Sequence, residues 1–286
     1  MQSKRLRSLL NAPGIIRAPG AYDAWSAKCI AEAGFPAVYM TGYGVAASLL
    51  GRPDIGFASM TEMVAVARNM VVAVDVPVIA DADNGYGGIH NVMRTVCEYE
   101  AAGAAAAQLE DQVLPKRCGH MEGKELVSKD EMVAKVRAAV AARKDPDFVI
   151  IARTDARAVG GFDEALDRVE AYAQAGADVI FFEAPQSVDE MRAVAARVKK
   201  PLLANMVEKG KTPVLTGKEL EVLGYKIVIY PVTALYAVSK TLRTTLADLR
   251  AFDTPIPLLP QMLTFPQFNE AIGLDSYRAL EKSFAG

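Results

Sequence analysis

Cys118 lies in the run Lys116-Arg117-Cys118-Gly119-His120, a few residues past an apolar stretch, 103–109, that ends in Glu110 and Asp111. Two cations and an imidazole beside a thiol stabilise its thiolate form. A loop that follows a strand is also where α/β enzymes keep their reacting groups. The same residues fit a blander description, a partly buried thiol beside a solvated basic stretch. A second group of candidates is acidic. Asp81 and Asp83 stand two apart and project together if they extend one strand. Glu110 ends another strand, and carboxylates brought this close repel one another unless a cation lies between them. The donors are all oxygen, with no His or Cys cluster beside them, which points to Mg2+ or Mn2+ and away from zinc. Cys118-Gly119-His120 lacks the second Cys/His pair of a zinc site. Arg153 is a fork-shaped donor suited to a carboxylate, and Arg117 could be another. The backbone N–H groups of Thr41-Gly42-Tyr43-Gly44 add further donors. A thiol, a hard cation and a carboxylate-binding Arg suit a small oxyacid whose carbon–carbon bond is cleaved to an enolate-like carboxylate.

These residues need a scaffold that brings them together. Short apolar runs at 15–18, 37–41, 76–81, 105–110, 148–153, 178–183, 201–205 and 226–231 are apolar on both faces, as parallel strands covered by helices are. Between them, 24–33, 61–74, 91–102, 129–143, 162–175, 188–198 and 216–223 carry helical periodicity, and an eighth helix follows at 233–249. Ala33-Gly34, Ala102-Gly103, Ala175-Gly176 and Leu223-Gly224 each close a helix before a strand, where Gly fits a left-handed C-terminus. Eight β–α units predict a (β/α)8 TIM barrel, with an open doubly wound sheet as the alternative. Gly85-Tyr86-Gly87-Gly88 lacks the spacing of a dinucleotide fingerprint. In a barrel the C-terminal strand ends share one site. They carry Thr41, Asp81-Ala82-Asp83, Glu110-Asp111, Arg153-Thr154-Asp155, Glu183, Asn205 and Thr233. Asp155 and Thr233 could be no more than caps of the elements that follow.

The chain is read as one barrel domain over 1–286, with 251–286 as a C-terminal helical extension. Within that extension 254–260 reads as an extended Pro-rich linker and 267–285 as one or two amphipathic helices, which pack on their own barrel or on a neighbouring subunit. With 286 residues, 51% hydrophobic, 23% charged and net charge −2, the composition is that of an ordinary soluble globular protein and gives no hint of nucleic-acid or membrane partners. Three cysteines, Cys29, Cys97 and Cys118, are too few for a disulfide framework and suit a reducing cytoplasm. Cys29 and Cys97 fall in helical stretches and read as core fillers. No apolar run suited to a signal peptide follows Lys4, Arg5 and Arg7, so the expected location is cytoplasmic.

Lys116-Arg117-Cys118-Gly119-His120, together with Thr41-Gly42-Tyr43-Gly44, Gly51-Arg52-Pro53-Asp54, Asp81-Ala82-Asp83-Asn84-Gly85-Tyr86-Gly87, Leu109-Glu110-Asp111-Gln112, Ala152-Arg153-Thr154-Asp155-Ala156 and Ala204-Asn205-Met206, resembles the isocitrate lyase/phosphoenolpyruvate mutase superfamily over nearly the whole chain. Within it the chain is most similar to the 2-methylisocitrate lyase branch, and there to 2,3-dimethylmalate lyases and the petal death protein. Gly123-Lys124, the run from Asn205 to Pro213 and the tail from Gln261 to Phe265 carry that similarity. Methylisocitrate lyases proper show Ser-Gly-Gly where this chain has Thr41-Gly42-Tyr43, and the phosphonate mutases carry a different gating loop.

The resemblance implies a barrel whose eighth helix is swapped between subunits, in a homotetramer built as a dimer of such dimers. It implies a carbon–carbon lyase that cleaves a 2-hydroxy dicarboxylate, of the 2,3-dimethylmalate, alkyl malate or 2-methylisocitrate type, to a 2-oxo acid such as pyruvate plus a carboxylic acid. Mg2+ (or Mn2+) would be held by Asp83 with Asp81, Asp54 and Glu110. Thr41, Gly42, Tyr43, Lys116, Arg117, Gly119, His120, Arg153, Glu183 and Asn205 would bind substrate, with Cys118 as the acid and Tyr43 or a metal-linked carboxylate as the base. The loop 115–124 is then a candidate lid. Carboxyphosphonoenolpyruvate mutase, or oxaloacetate hydrolase or decarboxylase, are the alternatives on the same scaffold. A barrel that only binds, without turnover, would be expected to have lost Cys118 or an Asp of the third strand, and both are present.

Overall fold

The structure, a computed structural model, describes residues 1–119, 121 and 123–285. In chain order its regular elements begin with α1 (Gln2–Asn11), β1 (Ile16–Ala21), α2 (Ala24–Glu32), β2 (Val38–Met40), α3 (Gly42–Leu50), α4 (Met60–Ala73) and β3 (Val78–Asp81). There follow α5 (Ile89–Ala101), β4 (Ala106–Glu110), α6 (Lys129–Ala142), β5 (Val149–Thr154), α7 (Phe162–Gln174), β6 (Val179–Phe182) and α8 (Val188–Arg197). The last are β7 (Leu202–Asn205), α9 (Gly217–Leu223), β8 (Ile227–Tyr230), α10 (Thr233–Phe252), α11 (Phe265–Ala271) and α12 (Leu274–Phe284). The eight strands pair in parallel in chain order, and β8 returns to β1, so the sheet is a closed barrel. The (β/α)8 expectation holds, and the open sheet is excluded.

Local chemistry sets the element ends. Asp23 with Ser26, Ser59 with Glu62, and Thr216 with Glu219 form reciprocal capping boxes at the starts of α2, α4 and α9. Gly34, Gly103, Gly176 and Gly224 take φ of +83°, +86°, +109° and +96° where the sequence pattern put left-handed helix ends.

Strand alternation then divides the side chains into two layers. One set, including Val38, Met40, Val78, Ala80, Leu109, Ile150, Ala152, Ile180 and Phe182, packs against the helices. The other, including Ile16, Tyr39, Ile79, Ala106, Val149, Ile151, Phe181, Leu203 and Ile229, fills the barrel. Leu6 and Leu10 of α1 join this interior cluster. Gln2 and Arg7 of α1 bond backbone groups at Val74, Val78 and Phe148, near the strand N-termini. The N-terminal mouth is thereby plugged, and only the C-terminal face stays available for chemistry.

Two helices, α1 and α3, were not anticipated. Cys29 is exposed, and Cys97 is half-buried with its thiol 3.5 Å from the Ala142 carbonyl. Neither is a core filler, because α2 buries the face of Ser26, Ala27 and Ile30 and α5 that of Val92, Thr95, Val96 and Tyr99.

Met1–Leu235 form one compact unit and Tyr236–Gly286 a second. In the second unit, 256–261 is a 3-10 turn where an extended linker was expected. The φ that proline fixes, near −65°, suits a 3-10 turn as well as an extended strand, and Pro255 and Pro257 serve the turn here. The two amphipathic helices expected in the tail are α11 and α12. Among the described residues, no helix is long and apolar enough to cross a membrane.

Candidate active site

The alternation that fills the barrel also loads its C-terminal mouth. Continuing the inward-facing positions of β3 through β7 brings up Asp81, Gln108 and Glu110, Arg153, Glu183 and Asn205. Asp111 falls on the opposite parity and faces the helices, where it accepts from Thr154 Oγ1 at 2.6 Å, Tyr172 Oη at 2.7 Å and the Asp155 amide at 3.0 Å. Asp83 reaches the site by another route than expected. β3 ends at Asp81, and Asp83 lies beyond it with φ +48°, its amide donating to Asp81 Oδ1 at 3.1 Å. A left-handed turn, not strand parity, places the two carboxylates together.

Asp81 is tightly held. Its Oδ1 also accepts from Gln108 Nε2 at 3.4 Å, and Gln108 Oε1 accepts from the Tyr39 hydroxyl at 2.8 Å. Its Oδ2 accepts from the Gly42 amide at 3.2 Å. A Cβ on Gly42 would stand 2.7 Å from that oxygen, so only glycine lets α3 start this close. Thr41 caps α3, its Oγ1 accepting from the Gly44 amide. The Gly42 and Gly44 amides, expected to grip substrate, are therefore occupied within the protein in this structure. Tyr43 is half-buried in the first turn of α3.

The Cys118 loop rises from a pinned neck. Gln112 bridges Leu126 in antiparallel fashion, the Val113 amide donates to the Glu125 carbonyl at 3.0 Å, and the Val127 amide to Asp111 O at 2.9 Å. Asn84, a position with no anticipated role, donates from Nδ2 to the Gln112 carbonyl at 3.1 Å and so ties the β3 loop to the neck. Beyond the neck the loop turns over the barrel mouth. The Cys118 amide donates to the Asp54 carbonyl at 3.2 Å, and Cys118 itself is half-buried. Lys116 Nζ sits 2.6 Å from Asp54 Oδ1 and 2.7 Å from Asp83 Oδ1. Gly119 packs directly on the site: a Cβ there would lie 2.3 Å from Arg153 Nη2 and 2.9 Å from the Glu183 side chain.

Arg153 is clamped by Asp155, Nε to Oδ2 at 2.9 Å and Nη2 to Oδ1 at 3.0 Å. Its Nη1 faces Glu110 Oε2 at 3.4 Å, and the guanidinium stacks 5.1 Å over the Phe181 ring. Asn205 Nδ2 donates to both Glu183 oxygens, at 3.3 and 3.2 Å. Asp155 is thus more than a cap: its bidentate clamp fixes the plane of the arginine. Arg117 is exposed, with its guanidinium beside Gly123, and is not part of the buried cluster. His120 lies outside the described residues.

Charge decides what this mouth can hold. Asp54, Asp81, Asp83, Glu110, Asp155 and Glu183 are all buried, and so are Lys116, Lys124 and Arg153. Carboxylates outnumber the buried cations two to one. Burial pushes Asp83 up to about 7 despite Lys116 beside it, and pushes Glu110 well above the carboxylate range against the pull of Arg153. Burial alone would lower Lys116, but Asp83 and Asp54 hold its ammonium well above the usual range. Glu110 Oε1 is buried with no hydrogen-bond partner in this structure. Such a site repels a dicarboxylate unless a further cation joins it. The donors present, four carboxylates and no sulfur or imidazole among them, fit a hard divalent ion. Among the described residues no three carboxylates stand as a ready-made metal centre, because Lys116 occupies the space between Asp54 and Asp83.

Sequence reasoning gave no site role to Gln108 and Tyr39, and read Lys124 only as part of the Gly123-Lys124 similarity and as the end of the candidate lid. Gln108 was within reach, since it stands two before Glu110 on the same strand. Lys124 had no local signal, because its partners are 5 and 31 positions upstream and downstream in the chain, at Gly119 and Asp155.

A closed parallel barrel with acidic groups, a clamped arginine and a thiol-bearing loop at its C-terminal mouth defines a class of enzymes acting on small oxyacids. Residues 6–250 match the phosphoenolpyruvate phosphomutase family, and the chain belongs to that family, the isocitrate lyase/phosphoenolpyruvate mutase superfamily. It is 53% identical over 281 residues to the 2,3-dimethylmalate lyase of Eubacterium barkeri, covering 98% of this chain and 97% of that one. It is 46% identical over 272 residues to the 2-methylisocitrate lyase of Aeropyrum pernix, covering 95% and 87%. Among solved structures, a 2,3-dimethylmalate lyase superposes with a TM-score of 0.95 at 40% identity, over 100% of this chain and 96% of that one. A phosphonopyruvate hydrolase solved with oxalate and Mg2+ superposes at 0.91 with 32% identity over the whole of both chains. The Eubacterium barkeri and Aeropyrum pernix relatives are both lyases, in keeping with a carbon–carbon lyase.

Proposed function

We propose that this chain is a Mg2+-dependent carbon–carbon lyase that cleaves a 2-hydroxy dicarboxylate of the alkyl malate type to a 2-oxo acid and a carboxylic acid. The observation that carries the reading is Cys118 held over a buried mouth where carboxylates outnumber cations and Arg153 is fixed by Asp155. Asp54, Asp81, Asp83 and Glu110 would hold the metal, which supplies the positive charge that an anionic substrate needs there and acts as a Lewis acid.

The rest falls to the chain's own residues. Arg153, with Glu183 and Asn205 on the same side, orients the α-hydroxy acid end. A base, with Tyr43 as the candidate, takes the hydroxyl proton. The electrons of that O–H bond form the C2 carbonyl, and those of the C2–C3 bond move to C3. Cys118 then delivers one proton to C3, and the proton count closes when the thiolate recovers the one that the base removed. Gly119 and Lys116 bring the lid down on the site, so that water does not quench the carbanionic carbon first.

The test is a panel of 2-hydroxy diacids with Mg2+, including 2,3-dimethylmalate, 2-methylisocitrate and oxaloacetate, assayed for the 2-oxo acid released. Release of pyruvate from an alkyl malate is the expected result. Hydrolysis of oxaloacetate with no cleavage of any hydroxy diacid would overturn it.

The same reading extends to assembly. The helix α10 spans 20 residues with none buried and exposes Leu242 and Leu246, and the tail exposes Phe265 and Phe284. So much apolar surface marks an interface. A homotetramer built as a dimer of dimers that exchange these helices would cover it. Light scattering that gave the mass of a single chain at micromolar concentration would refute this. Cys29, Cys97 and Cys118 form no disulfide among the described residues, which suits work in a reducing cytoplasm on a small-molecule substrate.

A further inference from the structure

Lys124 has no place in the reaction just outlined, yet its side chain is 1% exposed. Lysines are rarely buried without a purpose for the charge. Its ammonium donates to the Gly119 carbonyl inside the lid and lies 3.5 Å from Asp155 Oδ1 on the barrel. That same oxygen accepts from Arg153 Nη2 at 3.0 Å. Gly119 in turn packs on Arg153 Nη2 too closely to admit a Cβ. Lys124, Gly119, Arg153 and Asp155 therefore close a ring, two members from the lid and two from β5 and the turn after it.

We propose that Lys124 is a positioning residue that sets lid closure and the orientation of Arg153 together. Asp155 Oδ1 serves both cations. If the lid lifts, Asp155 loses one of its two counter-charges while still buried, which disfavours the open arrangement. If Arg153 turns away, the surface on which Gly119 rests is lost. The neck at Gln112 and Leu126 is paired independently of this ring, so Lys124 governs the part of the lid that carries Cys118 and Gly119. Lys116 anchors the same stretch from its other side. The inference rests on the lyase reading for its kinetic consequence only. Its structural consequence stands apart from that reading.

The experiment is hydrogen exchange on the full chain and on Lys124→Met, followed by steady-state kinetics. In the variant, amides of 116–119 should exchange faster by roughly tenfold, the loss expected for a buried hydrogen bond to a charged group, while Val113 of the neck and peptides of β4, β5 and β6 keep their rates. With an active substrate in hand, kcat should fall on the order of a hundredfold, as a displaced acid predicts, with a smaller change in KM. If the methionine variant does not fold, Lys124→Gln should change exchange in the same direction by a smaller factor, since its amide can still donate to Gly119 but brings no charge to Asp155. Unchanged exchange at 116–119 would overturn the proposal, as would acceleration of lid and strands by the same factor. If no substrate is found for the unaltered chain, the lyase reading fails, and the exchange result still decides the role of Lys124.

Discussion

Cys118→Ser will retain substrate binding and lose turnover by about two to four orders of magnitude, the range a general acid commonly contributes. The two side chains are nearly the same size, so the exchange leaves the lid intact. The Cys118 amide keeps its bond to the Asp54 carbonyl, and Lys116 keeps its contacts with Asp54 and Asp83. What changes is the acid. A free thiol loses its proton near pH 8.5 and yields a stable anion, whereas an alcohol releases a proton many orders of magnitude less readily. A carbanion at C3 is basic enough to take a proton from the thiol, but in the serine variant it returns to the 2-oxo acid before it is quenched. KM should therefore move little while kcat falls, the pattern of an interaction made in the transition state only. Cys118→Ala should match serine, since neither supplies an acid. Steady-state kinetics on the substrate found in the diacid panel measures this. Turnover within tenfold of the unaltered enzyme would remove Cys118 from the mechanism.

Cys118 could be singled out from sequence as the candidate acid because its signal is local: four neighbours of fixed type in a loop after a strand. The barrel was legible for a related reason. Strands buried on both faces read as unbroken apolar runs, and eight of them alternating with helical periods admit few architectures. Two helices escaped notice. The α3 sequence begins Gly-Tyr-Gly, a poor helix former held in place by the Thr41 cap and by the close approach to Asp81. In α1, Leu6 and Leu10 are the main apolar anchors among charged neighbours, and their burial depends on the open barrel mouth beneath them. The site divides along the same line. Asp81, Glu110, Arg153, Glu183 and Asn205 follow from strand parity and were found. Asp83 was found for a reason that does not apply, since a turn with positive φ carries it. The partners of Lys116 and Lys124 were beyond reach, because they depend on how one loop folds back over another strand's end. Sequence proximity assigned Lys116 to the Cys118 thiolate, whereas its ammonium goes to two carboxylates distant in the chain.

Those carboxylates bear the second large expectation. Asp83→Ala will abolish metal-dependent turnover, about a thousandfold or more, given that a Lewis-acid cation contributes several kcal/mol to such reactions. Asp83 is buried among like charges, and burial pushes it up to about 7 even with Lys116 at 2.7 Å. Lys116 brings one positive charge to two carboxylates, Asp54 and Asp83, which leaves this group one charge short. A divalent ion would meet the deficit, and Glu110 Oε1, buried and unpartnered, is a further donor for it. Binding to the folded state alone stabilises that state by mass action. Added Mg2+ should therefore raise the melting temperature of the unaltered protein, a readout that needs no substrate. Asp83→Asn, which keeps the shape and removes the charge, should lose most of that rise. It should also lose turnover nearly as fully as alanine does. The alanine variant carries one further consequence: Lys116 is left with Asp54 as its close partner, so the lid is held less firmly as well as the metal. Asparagine can still accept from Lys116, and the difference between the two variants in hydrogen exchange across 116–119 isolates the lid effect from the metal effect. Full activity in the presence of a chelator, or an equal Mg2+-induced rise in melting temperature for Asp83→Asn, would show that these carboxylates serve the lysine and not a metal.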